Sequence, residues 1–283
     1  MKFAQLEKLA DIIVSSDTDT IRKATVDLIA NESGDWKKWG ERFINFLDTG
    51  KLSNSVYAID GNSKLPFVAF SVLPKVTCPG AGECLKFCYS FRAWRYPAAF
   101  FRQAQNTILV MYRREVLRDE LSAVLAMPKF RKQDKVDFRL YVDGDIDSSE
   151  TLEFWFDVLN EFPKLEAYGY SKSLELFNAY NGVWPQNYKL NLSSGSKYDD
   201  DDSVLDAAEA LPITRGRFDA VMITGKFSAA KGEYRSKEYR STVREAAGGK
   251  PFICPGRCGD CTPNGHACGS AKFNNIRIVI GIH

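Results

Sequence analysis

From residue 67 onward, short apolar runs of strand length alternate with segments of helical period. That alternation constrains the fold more than any other feature of the chain. FVAFSV (67–72) reads as a buried strand, and VDFRLYVD (136–143) alternates Val136, Phe138, Leu140 and Val142. LEAYGYS (165–171), YKLNLS (188–193), FDAVMIT (218–224) and NIRIVIGI (275–282) are four further strand candidates. Between them lie helical segments: a long one from about Trp94 to Ala126 that stops at Pro128, then 149–162, a stretch near 173–180, 202–211 and 235–247. Strands alternating with helices imply parallel pairing through right-handed crossovers. Six such units predict an α/β fold over residues 55–283, as a partial (β/α)6 barrel or an open doubly wound sheet. The partial barrel is the reading adopted.

Residues 1–50 predict a separate helical unit of three short helices. Leu6, Leu9, Ile12 and Ile13 form one apolar stripe, and Thr18 or Thr20 suits the cap of a second helix carrying Ile21, Val26, Leu28 and Ile29. Asp35 starts a third, with Trp36, Trp39, Phe43 and Phe46 on one side and Gly50 just past its end. Ser149 is the expected cap of the helix over 149–162.

Parallel α/β folds place their chemistry on the loops after the strand C-termini. Here those loops carry Cys78, Cys84 and Cys88, then Asp143, Asp145 and Asp147, then Ser171, Lys172 and Ser173, then Ser193 and Ser194, then Thr224, Gly225 and Lys226, with His283 at the end of the last strand. Asp143, Asp145, Lys172, Ser193, Lys226 and His283 are the candidate catalytic residues. Three carboxylates at alternate positions of an extended strand end fall on one side. They suit a cation or a substrate ammonium, or else stand as solvated loop carboxylates. The acidic run Asp199 to Asp202 reads as a solvated loop that begins a helix.

All seven cysteines fall in two clusters, Cys78, Cys84 and Cys88 (C-x5-C-x3-C) and Cys254, Cys258, Cys261 and Cys268 (C-x3-C-x2-C-x6-C). Core cysteines would scatter; a three-plus-four clustering reads as thiolate ligands gathered for metal. The first cluster predicts a [4Fe–4S] site with one iron left to a non-cysteine ligand, His283 being the first candidate. Zinc completed from elsewhere is the alternative. Gly80 and Gly82 would let the backbone close around such a cluster and aim N–H groups at its sulfurs. The second cluster can close a four-ligand site by itself, as a second [4Fe–4S] or as zinc. Alternatively, both segments meet around one shared cluster. His266 is a further ligand candidate or a loop residue that hydrogen-bonds nearby.

With 283 residues, 45% hydrophobic and 13% aromatic, the chain has ample material for a core. A net charge of +2 gives no bulk signature of nucleic-acid binding. Phe91, Arg92, Trp94, Arg95, Tyr96, Phe100, Phe101 and Arg102 could stack on and neutralise a nucleic-acid strand, or form the buried face of the long helix. No run reaches the length of a membrane span, and the first residues lack the apolar core of a signal peptide. A cytoplasmic protein is expected, in a reducing compartment that disfavours disulfides. With only His266 and His283, H-E-x-x-H zinc chemistry is excluded, and the P-loop, G-x-S-x-G and G-x-G-x-x-G are absent.

Two resemblances meet at these residues. The order of strands and helices, the three-cysteine loop after the first strand and the later cysteine-rich segment resemble radical S-adenosylmethionine enzymes. That family's motif is C-x3-C-x2-C, whereas the first loop here is C-x5-C-x3-C. A GGE-like methionine-binding motif is missing, with VDGD (142–145) at most an analogue. Both departures argue against adenosylmethionine cleavage. The loop TCPGAGECLKFCY (77–89), the step YGYSKS (168–173), the late cysteines and the terminal strand are similar to the phage gene product 88-like family over about residues 60–283. That resemblance implies an iron–sulfur protein of phage or mobile-element type, acting in the cytoplasm of a bacterial host. It carries over the cysteine positions without supplying a reaction. Three functions are therefore expected as alternatives. One is an enzyme using the open iron for redox or radical chemistry on a small molecule. The second is a nucleic-acid-binding module engaging through Arg92, Arg95 and Arg102, and the third is an electron-transfer protein with a redox partner.

Overall fold

The structure is a computed structural model that describes residues 2–61, 67–262 and 265–282. Seven strands are present among them: β1 (Val68–Ala69), β2 (Val136–Leu140), β3 (Leu165–Ser171), β4 (Tyr188–Ser193), β5 (Thr214–Met222), β6 (Phe252–Ile253) and β7 (Ile278–Ile282). All pair in parallel, in the order β1-β2-β3-β4-β5-β7-β6. The α/β expectation holds, with seven strands in place of six. The addition is β6, two residues that sit directly before Cys254.

The helices are α1 (Phe3–Ser15), α2 (Thr18–Ile29), α3 (Gly34–Thr49), α4 (Pro97–Tyr112), α5 (Arg114–Ala126), α6 (Pro128–Arg131), α7 (Ser149–Glu161), α8 (Leu174–Ala179), α9 (Asp202–Glu209) and α10 (Lys237–Ala247). The single long helix expected over 94–126 is instead a 3-10 segment over Tyr89–Arg95 followed by α4 and α5. They part at Arg113, which leaves helical geometry (φ −147°, ψ 50°) and donates to the Gly50 carbonyl from Nη1 at 3.2 Å. The caps of α2 and α7 fall one position before those expected. Asp17 accepts the Thr20 amide at 2.7 Å, and the Ser148 hydroxyl accepts the Thr151 amide at 3.2 Å. Gly50 ends α3 in the left-handed region (φ 72°), as its place in the sequence implied.

Register assigns each strand residue to a face, because directly paired positions in a parallel sheet point the same way. Phe138 pairs with Val68 and Ala167, and Leu190 with Gly169, so one face is apolar. It is buried under α4, α5 and α7 through Phe70, Phe138, Trp155, Leu159 and Leu190. The same core takes in α1 and α3: Phe43 lies 5.5 Å from Phe101 between ring centroids, and Leu6, Leu9 and Ile13 are buried with it. Trp94, Phe100 and Phe101 are likewise buried, so the aromatic stretch is mainly packing surface.

The other face is built differently. Asp137 and Arg139 of β2, Tyr168 and Tyr170 of β3, Asn191 and Ser193 of β4 and Phe218 of β5 line it. The late cysteine segment lies against this face. Tyr168, Ala267, Cys268 and Ile278 form a second core with Tyr170, Phe218, Phe252, Cys254, Cys261 and Phe273. No described helix is long and apolar enough to cross a membrane.

Candidate metal centres

The first cysteine loop follows β1 and docks on the loops after β3 and β4. Gly82 and Cys84 donate backbone N–H groups to the Gly195 carbonyl at 3.0 and 3.1 Å, and Lys197 donates to the Gly80 carbonyl at 3.0 Å. The Ser196 hydroxyl donates to the Gly80 and Lys172 carbonyls at 3.1 and 3.2 Å. The glycines serve this docking. A Cβ on Gly80 would lie 1.8 Å from the Lys172 carbonyl oxygen. Gly195, at φ +81°, stands where a Cβ would meet that of Cys84 at 2.7 Å. Gly82 therefore spends its N–H on a neighbouring loop, not on a cluster sulfur.

Asp145 is the hub behind this loop. It is 5% exposed and accepts the Ile146 amide at 2.8 Å, the Ser171 hydroxyl at 2.7 Å and the Lys172 amide at 2.8 Å. Burial pushes its carboxyl above the ordinary range, against these bonds and the Lys172 charge. Lys172 donates from Nζ to the Ser193 hydroxyl at 2.7 Å. Cys78 and Cys84 both feel the charges of Asp145, Lys172 and Cys88, so the three cysteines, Asp145 and Lys172 share one neighbourhood. Burial pushes the Cys78 thiol up to about 12, with Asp145 adding to the shift. Asp143 is tied elsewhere: it accepts from Gln103 at 3.0 Å, and burial raises its carboxyl. One Asp147 carboxylate oxygen is buried with no hydrogen bond. Lys226 is exposed on the turn after β5, and His283 lies outside the described residues. Asp199, expected to be solvated, accepts the Gly195 and Ser196 amides at 2.6 and 3.1 Å, and Asp201 caps α9.

The late cysteines face a set of donors. Gly256 donates its backbone N–H to the Cys254 sulfur at 3.4 Å, and Ala267 donates to the Cys261 sulfur at 3.2 Å. Arg139 Nη1 donates to the Cys258 sulfur at 3.9 Å. The Tyr170 hydroxyl bonds Cys268. Cys254 feels the other three thiols, which places all four in one neighbourhood. Burial raises Cys254 strongly and Cys268 to about 11. N–H and O–H groups aimed at sulfur favour the thiolate, as the outer shell of a thiolate metal site does. The donor set of the late cysteines thus fits a metal centre. None of the seven cysteines forms a disulfide, and among the described residues no three His, Cys, Asp or Glu side chains adopt a metal-holding arrangement. His266 is a loop residue: its Nδ1 accepts the Gly269 amide at 3.1 Å, which leaves the proton on Nε2, 3.3 Å from Asp137.

The family model described as Gene product 88 matches residues 44–274. The chain belongs to this family. No curated protein and no solved structure matches the chain. The family match carries nothing that extends to radical S-adenosylmethionine enzymes.

Several residues that this Gene product 88 chain brings to its two cysteine groups escaped the sequence reading. Arg139, Tyr168, Tyr170 and Arg215 all cluster at the late cysteines. For the residues on β2 and β3 the signal was the alternate set: between Val136, Phe138 and Leu140 stand Asp137 and Arg139, and a cation in mid-strand needs a partner. Tyr89 follows Cys88 directly and donates its hydroxyl to the Val142 carbonyl at 2.7 Å, with Arg139 Nη2 at 3.4 Å. Of the three arginines set aside for nucleic acid, Arg92 and Arg95 are exposed. Arg102 instead turns back to Asn54 and Ser55 at 3.3 and 3.2 Å.

Proposed function

We propose that this chain is an iron–sulfur protein with two cysteine-held centres, on a sheet that curves as a partial (β/α) barrel. Cys78, Cys84 and Cys88 would hold a [4Fe–4S] cluster with one iron lacking a cysteine. Cys254, Cys258, Cys261 and Cys268 would hold the second centre, iron–sulfur or zinc. The observation that carries this reading is the convergence of N–H and O–H donors on the late sulfurs, from four separate places in the chain. The barrel reading rests on the strand order, which steps one way from β1 to β5, and on the first cysteines lying beyond the C-termini of β3 and β4.

A cluster with an open iron supplies one-electron chemistry and a coordination position for a small molecule. The chain's own groups define what else the site does. Asp145 fixes the loop that carries Lys172. Lys172 and Ser193 place an ammonium and a hydroxyl beside Cys78 and Cys84, which suits an anionic or hydroxylated substrate group. Lys226 enters only as a candidate beyond β5, and His283 only as a candidate from the sequence.

The test is anaerobic purification with iron, sulfide and zinc analysis, and electron paramagnetic resonance after reduction, on the full chain and on C78S/C84S/C88S. The reading expects a reduced-cluster signal that the triple substitution removes in part. A signal unchanged by the triple substitution would contradict the first centre.

A further inference from the structure

Two guanidinium groups, that of Arg215 fully buried and that of Arg139 half-buried, stand beside the late cysteines without a carboxylate in ion-pair contact. Arg215 is 0% exposed. It donates from Nε to Asn191 at 2.7 Å, from Nη1 to the Phe273 and Ile276 carbonyls at 3.1 and 2.5 Å, and from Nη2 to the Arg217 carbonyl at 3.0 Å. These acceptors satisfy its donors and leave its charge uncompensated. The groups whose charge it feels are Cys268 and Tyr170. Arg139 reaches Cys258 and the Tyr89 hydroxyl, lies 5.2 Å from the Tyr170 ring, and keeps its buried Nε without a hydrogen bond. Among the described residues neither arginine forms an ion pair with a carboxylate. Asp137, on the same face as Arg139, is held by His266, and Asp143, held by Gln103, feels the Arg139 charge without touching it.

A buried charge costs several kcal/mol unless it is paired. Neutral thiols give neither arginine a counter-charge. Four thiolates around one divalent cation keep two excess negative charges, and such a centre would meet both arginines at once.

We infer that Arg139 and Arg215 are the counter-cations of an anionic tetrathiolate centre formed by Cys254, Cys258, Cys261 and Cys268. This rests on the reading of those cysteines as a metal centre and adds its charge. Both are positioning residues: Arg139 touches the Cys258 sulfur, whereas Arg215 touches Asn191 and backbone carbonyls and reaches Cys268 only through its charge. The arrangement selects an all-thiolate centre with net negative charge over one neutralised by added protons or neutral ligands. It also makes the metal-free protein the less stable partner, with Arg215 buried and Arg139 half-buried beside neutral sulfur.

The consequence is a change of sign. With metal bound, removing Arg139 leaves an anionic centre short of a cation. Without metal, the same removal relieves a half-buried cation that no ion pair holds. The experiment uses the full chain carrying C78S/C84S/C88S, so that only the late centre binds, with Zn2+ as the probe. Thermal midpoints of the zinc-loaded and metal-free forms are measured, and zinc affinity by competition with a chelator, for Arg139, Arg139→Met and Arg139→Lys. R139M is expected to weaken zinc binding by about 10–100-fold, the usual effect of losing an outer-shell partner. It should also lower the loaded midpoint and raise the metal-free one. R139K, which keeps the charge, should retain most of the affinity. An R139M chain that loses stability equally in both forms, or that folds in neither, overturns the inference. So does an R139K chain as weak as R139M. A parent chain that binds no zinc and no iron overturns the metal centre itself, which is a separable result.

Discussion

The Asp145 carboxylate holds the backbone amide of Lys172 at 2.8 Å, joining the loop after β2 to the loop after β3. The same side chain takes the Ser171 hydroxyl and the Ile146 amide, so one buried acceptor aligns three donors beneath the first cysteine loop. This geometry gives Asp145 a positioning role.

Replacing Asp145 by Ala strands those buried donors. Each unsatisfied buried group costs about 1–3 kcal/mol. D145A is therefore expected to lose at least about 3 kcal/mol in urea unfolding, while D145N, which keeps one acceptor oxygen, loses less. Equal stability of D145A and the parent chain would contradict the hub.

Gly80 is a sharper probe of the loop itself. An added Cβ has no space against the Lys172 carbonyl, which is backbone and cannot rotate away. G80A is expected to release residues 78–84 from the loops after β3 and β4. Amide exchange at Cys84 and Lys197 should accelerate at least about tenfold, the mark of a lost local hydrogen-bonded unit. Unchanged protection would show that the docking is not as described.

The number of centres is tested by substitution. C254S/C258S should remove metal from the late segment and leave that of the first loop, while C78S/C84S/C88S should do the reverse. One cluster shared by both segments predicts total loss from either variant. Metal content per chain separates these outcomes.

Asp201 gives a pH prediction away from the cysteines. The Ser203 hydroxyl, then the Val204 amide, hold its carboxyl below the ordinary aspartate value of 3.8. A folded value below the unfolded one means that the cap of α9 stabilises the fold above about pH 3.8. That contribution is lost as pH falls through the lower folded value. The carbon shift of the Asp201 carboxyl should titrate below 3.8, and a midpoint at or above it would contradict the cap.

The elements that were legible were those fixed by local pattern. β3 and β4 match the sequence reading at both ends, since each is an alternating run bounded by turn residues. β1 was read as six residues, but only Val68 and Ala69 make regular pairs. Beyond them the chain still runs beside β2, with Phe70 N–H on the Arg139 carbonyl at 3.1 Å and Val142 N–H on the Phe70 carbonyl at 2.8 Å. The break at Arg113 carries no Gly or Pro, so nothing local announces it. What Arg139 and Arg215 would touch was hidden for a related reason. Their partners lie 119 residues away at Cys258 and up to 61 away at Ile276, and only the folded sheet brings them together.

Metal held by the two cysteine groups, with iron–sulfur chemistry at the first, is the reading we propose. Iron, acid-labile sulfide and zinc measured on the anaerobically purified and reconstituted full chain test it most directly. The account predicts iron with matching sulfide, and a signal that appears on reduction and depends on Cys78, Cys84 and Cys88. A colourless chain that takes up zinc but no iron after anaerobic reconstitution would contradict it.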